Sequence, residues 1–402
     1  MLREIKKPNR DHARRLMQCL VVAIRPLRVE ELAEILAIDF DDASGIPKLK
    51  PSWRWEDHEQ AVLTSCSSLI VILDTGFSRV VQFSHFSVKE FLTSERLATS
   101  SLGVSHYHIF LEPAHTIMAQ ACLSTLLRLD NSIEDSEVEE RFPLAGYAAE
   151  HWVGHAQFED VASRIKGMED LFDPDKPYFA TWCKLHDIDT RPPYRSTFFQ
   201  FCDDSKSGAN TPLYYAALCG FPNLVEQLIS KHPEQVNAIG GHCRTPAVAA
   251  LAGRHFQLAQ LLHRRGSSVD PLGRLGISTL HSAVCSEDLE MVQVLLDYGL
   301  DVNAQNDVGC TPLNFGFNGR FNDPNVVQLL LDHDADPNVP MNGGMTPLHH
   351  ASRHGTTEVA RLLAEHGASI EAKDEEGKTP LDYASEERCE EMIKLLSEYR
   401  TK

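Results

Sequence analysis

Along the second half of the chain the apolar positions fall into short helical stripes that restart at a near-constant interval. Thr211-Pro212-Leu213, Thr245-Pro246-Ala247, Ser278-Thr279-Leu280, Thr311-Pro312-Leu313, Thr346-Pro347-Leu348 and Thr379-Pro380-Leu381 recur about every 33 residues. A Thr or Ser hydroxyl accepts a bond from an orphan helix N–H, and Pro directly after it loses no donor that would have been used, so each motif predicts the start of a helix. Small residues at Ala216-Ala217, Ala249-Ala250, Ala283 and Ala351 leave room for a second helix, marked by Leu261-Leu262, Val294-Leu295, Leu329-Leu330, Leu362-Leu363 and Leu395-Leu396. Gly266, Gly299 and Gly367 then stand where a helix ends in the left-handed conformation, and Asn237, Asp270, Asn303 and Asn338 fall in the hairpin beyond, where short polar side chains satisfy turn backbone. Two features depart from the pattern. The position for Gly after the first helix holds Arg254, Glu287, Arg320 and Arg388, which predicts less regular turns, and extra residues around Asn318 to Asn325 predict a longer turn in the fourth unit.

The first half reads differently. Leu16, Leu20 and Ile24 recur at fours, the Arg25-Pro26 break follows, and Val29, Leu32, Ile35 and Leu36 continue on a second helical face. A third helix is expected from about Glu56 to Cys66. The period then changes to the β-rich runs Leu69 to Leu73 and Val80 to Phe83 around Asp74-Thr75-Gly76, a hairpin signal. Three helices followed by a hairpin is the order of a winged helix.

Composition adds bounds to this picture. With 402 residues, 43% apolar and 24% charged, the chain is an ordinary globular one of two or three domains. The expected fold class is mainly α: a winged-helix-like domain over 1–100, a helical connecting domain over 101–204 and a repeat solenoid over 205–402. Asp and Glu total 57 against 38 Lys and Arg, a net charge of -19 spread over both halves, which disfavours a nucleic-acid partner. The third helix of the winged helix, with Glu56, Asp57 and Glu59, is itself acidic. Ten cysteines occur without a C-x-x-C, so neither a thiolate zinc site nor a tight disulfide framework is expected, and a reducing compartment is the default. Basic residues precede the apolar run Leu16 to Ile24 as in a signal peptide, but Gln18 interrupts it, Arg25-Pro26 closes it and no small-residue cleavage site follows. No apolar run nears the roughly 20 residues of a membrane span. A cytoplasmic protein without a membrane segment is the expectation.

The Thr-Pro-Leu motif, with His281 and His349 completing it in two copies, and its period resemble the ankyrin repeat, in six copies. The first 200 residues resemble the region after the nucleoside-triphosphatase module in fungal NACHT-ankyrin proteins, signal-transducing NTPases of the STAND class related to NOD-like receptors. The residues that carry this are Arg25 to Glu34, Trp53 to Asp57, Phe83 to Leu92, Leu111 to His115, Ala119 to Cys122, Tyr147 to Trp152 and Leu171 to Pro177. The phosphate-binding loop of such a receptor is not found: the only Gly-Lys-Thr, Gly377-Lys378-Thr379, has Ala372 where the first loop glycine belongs. The chain therefore reads as the back half of such a receptor, or a short relative of one.

Catalytic chemistry finds little support. By its order after the hairpin, His85 matches the histidine that approaches the nucleotide in related receptors, but Phe86 replaces the Asp common after it in plant relatives; with no nucleotide module, a bond within its own domain is expected. His151 and His155 have zinc-helix spacing, yet Trp152 stands where H-E-x-x-H requires Glu. The acidic stretch Glu134 to Glu140 reads as a solvated loop, and the serines near Thr64 lack a G-x-S-x-G elbow. The expectation is a non-enzymatic interaction protein without metal or cofactor, its ankyrin array binding a protein partner through a concave face and hairpin tips. By analogy with the ankyrin family the contacting residues are Arg274, Ile277, Cys285 and Ser286 in repeat three, Asn342, Met345, Arg353 and His354 in repeat five, and Glu375, Glu376, Lys378, Glu386 and Glu387 in repeat six. The alternative is the regulatory half of a nucleotide switch, its NTPase supplied in cis or in trans.

Overall fold

The structure, a computed structural model, describes residues 2, 5, 9–42, 45–66, 68–76, 78–100, 104–129, 135–190, 211–273, 276–316, 323–341 and 343–400. It divides into two compact units, one of residues 1–188 with 221–230 and one of residues 189–220 with 231–402.

In the first unit the apolar stripes become α1 (Arg10–Val22), α2 (Val29–Leu36) and α3 (His58–Cys66). A two-residue strand β1 (Leu27–Arg28) lies ahead of α2, and β2 (Ile38–Asp39) pairs antiparallel with β3 (Lys48–Leu49). Both short pairings escape period analysis because two residues carry no alternation. The expected hairpin is β4 (Ile70–Asp74) and β5 (Arg79–Phe83), with Ile72 opposite Val81 and β1 adding to the far edge of β5 in the order β1-β5-β4. At its turn Gly76 takes φ 82°, and its N–H donates to Asp74 Oδ1 at 2.8 Å.

The Arg25 to Glu34 segment buries two carboxylates in this unit. Glu31 accepts from Arg25 Nη2 at 2.7 Å and from the Arg28 N–H at 2.7 Å, while Glu34 accepts from Arg54 at 3.0 Å, Arg128 at 3.3 Å and the Leu144 N–H at 3.3 Å. A buried charge left without such partners would cost several kcal/mol, which accounts for arginines from distant segments converging on α2. Short helices α4 (Phe86–Leu92) and α5 (Glu95–Ala98) lead to the helical part: α6 (Leu111–Leu126), α7 (Asp135–Arg141), α8 (Ala145–Ala156), α9 (Val161–Arg164), α10 (Met168–Leu171) and α11 (Tyr178–Leu185). Helix α6 packs on both α1 and α8, and Trp152, Phe172 and Trp182 meet edge to face in the core. The stretch expected as a solvated loop is corrected here. From Asp135 it is helical, with Glu137 bridging to Arg141 and Glu139 to Arg28 on its exposed surface.

The Thr/Ser motifs start α12 (Pro212–Leu218), α14 (Pro246–Ala252), α16 (Thr279–Cys285), α18 (Pro312–Gly316), α20 (Pro347–His354) and α22 (Pro380–Glu386). The second helices are α13 (Pro222–Lys231), α15 (Phe256–Arg264), α17 (Leu289–Asp297), α19 (Pro324–Asp332), α21 (Thr357–Glu365) and α23 (Glu390–Arg400). Thr211, Thr245, Ser278, Thr311 and Thr379 each accept from the N–H three residues on. First helices pack side by side as α12–α14, α16–α18 and α20–α22, and second helices as α17–α19–α21–α23. Ala216, Ala217, Ala249, Ala250, Ala283 and Ala351 have no exposed surface, as close helix approach requires.

Turns expected to be irregular are regular. Arg254, Glu287 and Arg388 take φ of 60°, 54° and 57°, the same left-handed conformation as Gly220 at 73° and Gly355 at 69° in the equivalent positions. Stacking of the next helix pair dictates that conformation whatever side chain stands there, so the residue carries the strain. Arg254 recovers part of it by donating to Asp288 at 2.6 Å and Glu290 at 2.9 Å. Arg388 has no ion pair among the described residues. An Arg388→Gly variant is expected to gain about 0.5–1 kcal/mol in a urea titration, because removal of Cβ relieves more strain than the added backbone entropy costs. Arg320 and the extra residues of the fourth unit up to residue 322 lie outside the described residues.

Candidate interaction surface

Among the described residues, five hairpins of the repeat region are each closed by one N–H to C=O bond between residues four apart. Gly240 donates to Arg244 at 2.8 Å, Gly273 to Ile277 at 2.8 Å, Asn306 to Cys310 at 3.0 Å, Met341 to Met345 at 2.9 Å and Asp374 to Lys378 at 3.0 Å. The asparagines expected to satisfy their own turns reach across to the next one. Asn237 donates to Gly266 O at 2.7 Å and accepts from Ser268 N at 2.7 Å; Asn303 does the same with Asp334 O and Asp336 N, and Asn338 with Gly367 O and Ser369 N. One side chain thus pins two successive turns.

The residue at the fourth motif position makes a second tie. His281 Nδ1 accepts from the Ser278 N–H at 3.3 Å, which leaves Nε2–H to donate to Cys310 O at 2.9 Å in the following hairpin. His349 repeats this with Thr346 N and Lys378 O, and Asn314 donates to Val339 O at 2.8 Å. At Tyr214 the phenol donates to Asp189 Oδ1 at 2.8 Å and accepts from Cys243 N at 3.0 Å, while Asp189 Oδ2 accepts from His242 N at 2.7 Å. Burial holds the His281 and His349 rings below the usual imidazole range, so both are neutral at pH 7.

These ties occupy the inward positions and leave the hairpin tips and the ends of the first helices for contact. Of the candidate residues, Arg274 and Asn342 lie outside the described residues. Ile277 and Met345 are half-buried and close their hairpins through their carbonyls. Cys285 is half-buried, its thiol pushed up to about 11 by burial, and Ser286 spends its hydroxyl on Ala283 O at 2.8 Å. Arg353 and His354 are exposed in the last turn of α20. Of the repeat-six group the structure brings Glu376 and Glu386 together, with a cation between them. Lys378 Nζ lies 3.0 Å from Glu386 and 3.6 Å from Glu376, over the Tyr383 ring, and those partners raise its pKa. Glu375 and Glu387 are exposed with no ion pair among the described residues, so the local surface is less acidic than four glutamates alone suggest.

In the first unit His85 caps α4, its Nδ1 accepting from Ser87 N at 3.2 Å with the ring exposed. His151 and His155 diverge. His155 is fully buried, with Tyr147 Oη at 2.9 Å from Nε2 and His115 Nδ1 at 2.9 Å from Nδ1. Tyr147 Oη accepts from the Ile24 N–H and shares a hydrogen bond with His155 Nε2, while His155 Nδ1 shares one with His115 Nδ1. Burial pushes His155 down to about 3. No group of three or more His, Cys, Asp and Glu among the described residues could hold a metal ion. Sequence reasoning had no means of finding this chain, since its members lie 40 and 123 residues apart.

The ankyrin-repeat family model matches three times, at 213–306, 247–341 and 318–402, and the model described as the GPI inositol-deacylase winged helix domain matches 2–103. The C-terminal half is an array of ankyrin repeats. The N-terminal match agrees with the three helices and the β4–β5 hairpin, and makes residues 2–103 a winged-helix domain. The azaphilone pigments biosynthesis cluster protein L of Monascus ruber is 30% identical over 276 residues, 64% of this chain and 56% of that protein. Mouse protein phosphatase 1 regulatory subunit 27 is 36% identical over 58 residues, and mouse ankyrin repeat and SAM domain-containing protein 6 is 37% identical over 115 residues. The matches cover 14% and 28% of this chain and 38% and 13% of those proteins. The chain thus spans about half the length of the Monascus relative and less of the others. Ankyrin repeats are a protein–protein interaction architecture, and among the described residues no helix is long and apolar enough to cross a membrane.

Proposed function

We propose that the protein is a non-enzymatic interaction module of the cytoplasm whose ankyrin array holds a protein partner across its concave face and hairpin tips. The observation that carries this reading is the partition of polar side chains. Asn237, Asn303, Asn338, His281 and His349 are all spent between repeats, whereas Arg353, His354, Glu375 and Glu387 are exposed. The contact set is Arg274, Ile277, Cys285 and Ser286 with Asn342, Met345, Arg353 and His354, continued through Glu375, Glu376, Lys378, Glu386 and Glu387. Repeat six then favours a basic patch on the partner, which speeds association and is screened by salt. The test is crosslinking capture by the full chain and by a variant with Glu375, Glu376, Glu386 and Glu387 changed to Gln, each at low and raised ionic strength. Loss of the same partners in both arms is expected; unchanged capture defeats the acidic-surface part of the reading.

A second reading has its own observation. The first unit exposes Phe86 at 71% in the winged helix and Phe110 at 60% just after it, aromatic surface that suits a docking domain. On this reading the first half of the protein regulates a NACHT-type NTPase in cis or in trans, and His85 would face the nucleotide once it turns from Ser87. Binding of such an NTPase module by the winged-helix half, weakened by Phe86→Ser, would favour it.

A further inference from the structure

The first turn of α1, the segment after β3 and α3 enclose an open cleft of about 600 Å³, within the range of small-molecule sites. Its walls are built from a rigid turn. Pro51–Trp53 forms one turn of 3-10 helix, with Trp53 N donating to Lys50 O at 2.9 Å and Arg54 N to Pro51 O at 3.2 Å. Arg54 closes this turn in an extended conformation, at φ -68° and ψ 131°, between Trp53 and Trp55. Both indoles line the cleft, 45% and 40% exposed, and neither stacks on another ring among the described residues. The other two tryptophans, Trp152 and Trp182, are buried in the core.

The polar lining is one-sided. Asn9, Ser52, Thr64, His12 and Arg54 complete the wall among the described residues, and no carboxylate is among these. Arg54 is held by Glu34 and Arg141 O from behind, so it is fixed in place, and the Asn9 amide is oriented by donating to Thr64 O at 3.2 Å. An ammonium ion on these rings would meet the like charge of the Arg54 guanidinium, whereas an anionic or carbonyl oxygen meets N–H donors. We infer that this cleft binds a planar conjugated organic molecule bearing a carboxylate or carbonyl oxygen, its ring stacked on Trp53 and Trp55 and its oxygen turned to the donors. The site is separate from the ankyrin surface and does not depend on the reading of that surface.

The experiment uses 2-naphthoate as probe in equilibrium dialysis against the full chain. One saturable site with a dissociation constant near or below about 1 mM is expected for a ligand of that size. Changing both Trp53→Ala and Trp55→Ala should weaken it by roughly tenfold or more, because the stacking faces are gone, while Trp53→Phe with Trp55→Phe should retain it. Both indoles are exposed, so near-ultraviolet circular dichroism from Trp152 and Trp182 should stay unchanged and certify the fold. Cyclohexanecarboxylate, which has the anion without the plane, and an oligoproline peptide, which could use the same rings as a macromolecular ligand, are the competitors. Absence of saturable naphthoate binding, equal binding by the alanine pair, or preference for either competitor would overturn the inference.

Discussion

Replacing Leu348 by aspartate is expected to unfold the C-terminal repeats at room temperature or bring them to the edge of unfolding. Leu348 has no exposed surface and sits in the first turn of α20, which packs on α21 and α22. A carboxylate there has no partner, and burying it costs about 3–5 kcal/mol, a large share of the roughly 5–15 kcal/mol by which a domain is stable. Repeat arrays hold together through neighbour contacts, so the loss spreads to α22 and α23. Urea titration followed by far-ultraviolet circular dichroism measures it. Leu272→Asp is the control: at 59% exposure on a hairpin it should shift stability by no more than about 0.5 kcal/mol. Equal midpoints for the two variants would refute the packing of α20.

Acidification from pH 7.5 to 4.5 is expected to destabilise the protein steadily below about pH 6.5, the ordinary imidazole value. His281, His349 and His350 in the array and His115 and His155 in the first unit are all held below that value, chiefly by burial, with His350 at about 4 and His155 at about 3. In that window the unfolded chain binds protons that the folded chain refuses, so stability present above pH 6.5 is lost as pH falls. Each buried ring contributes up to about 1.4 kcal/mol per pH unit until its own folded pKa is reached. Geometry gives the same sign at His281, where a proton on Nδ1 would face the Ser278 N–H. Urea midpoints that stay constant between pH 7 and pH 5 would contradict this.

Much of the fold was legible in residue order because its causes are local. A Thr or Ser hydroxyl caps the helix that begins beside it, Pro fits the first turn, and Gly266, Gly299 and Gly367 take φ of 93°, 77° and 86° where a helix must end. The β4–β5 hairpin was legible for the same reason, since Asp74 and Gly76 make the turn themselves. The interaction surface was legible only as a set of positions. That Lys378 sits between Glu376 and Glu386 could not be read, because the lysine and Glu386 are eight residues apart and meet only when hairpin and helix fold together.

The sequence by itself determined the period, the starts of the helices, the apolar faces and the winged-helix order, all of which follow from capping, backbone preference and hydrophobic spacing within a few residues. Tertiary structure alone decided where polar groups find partners across the chain. Asn237, Asn303 and Asn338 serve turns about thirty residues away, Asp189 joins Tyr214 and His242, and Glu34 collects Arg54 and Arg128. It also forced Arg254, Glu287 and Arg388 into the left-handed conformation their own preferences oppose. The physical reason is common to all of these. A buried donor, acceptor or charge must be satisfied by whatever packing brings near, and packing of neighbouring helix pairs outweighs the roughly 1–2 kcal/mol that a single unfavourable backbone angle costs.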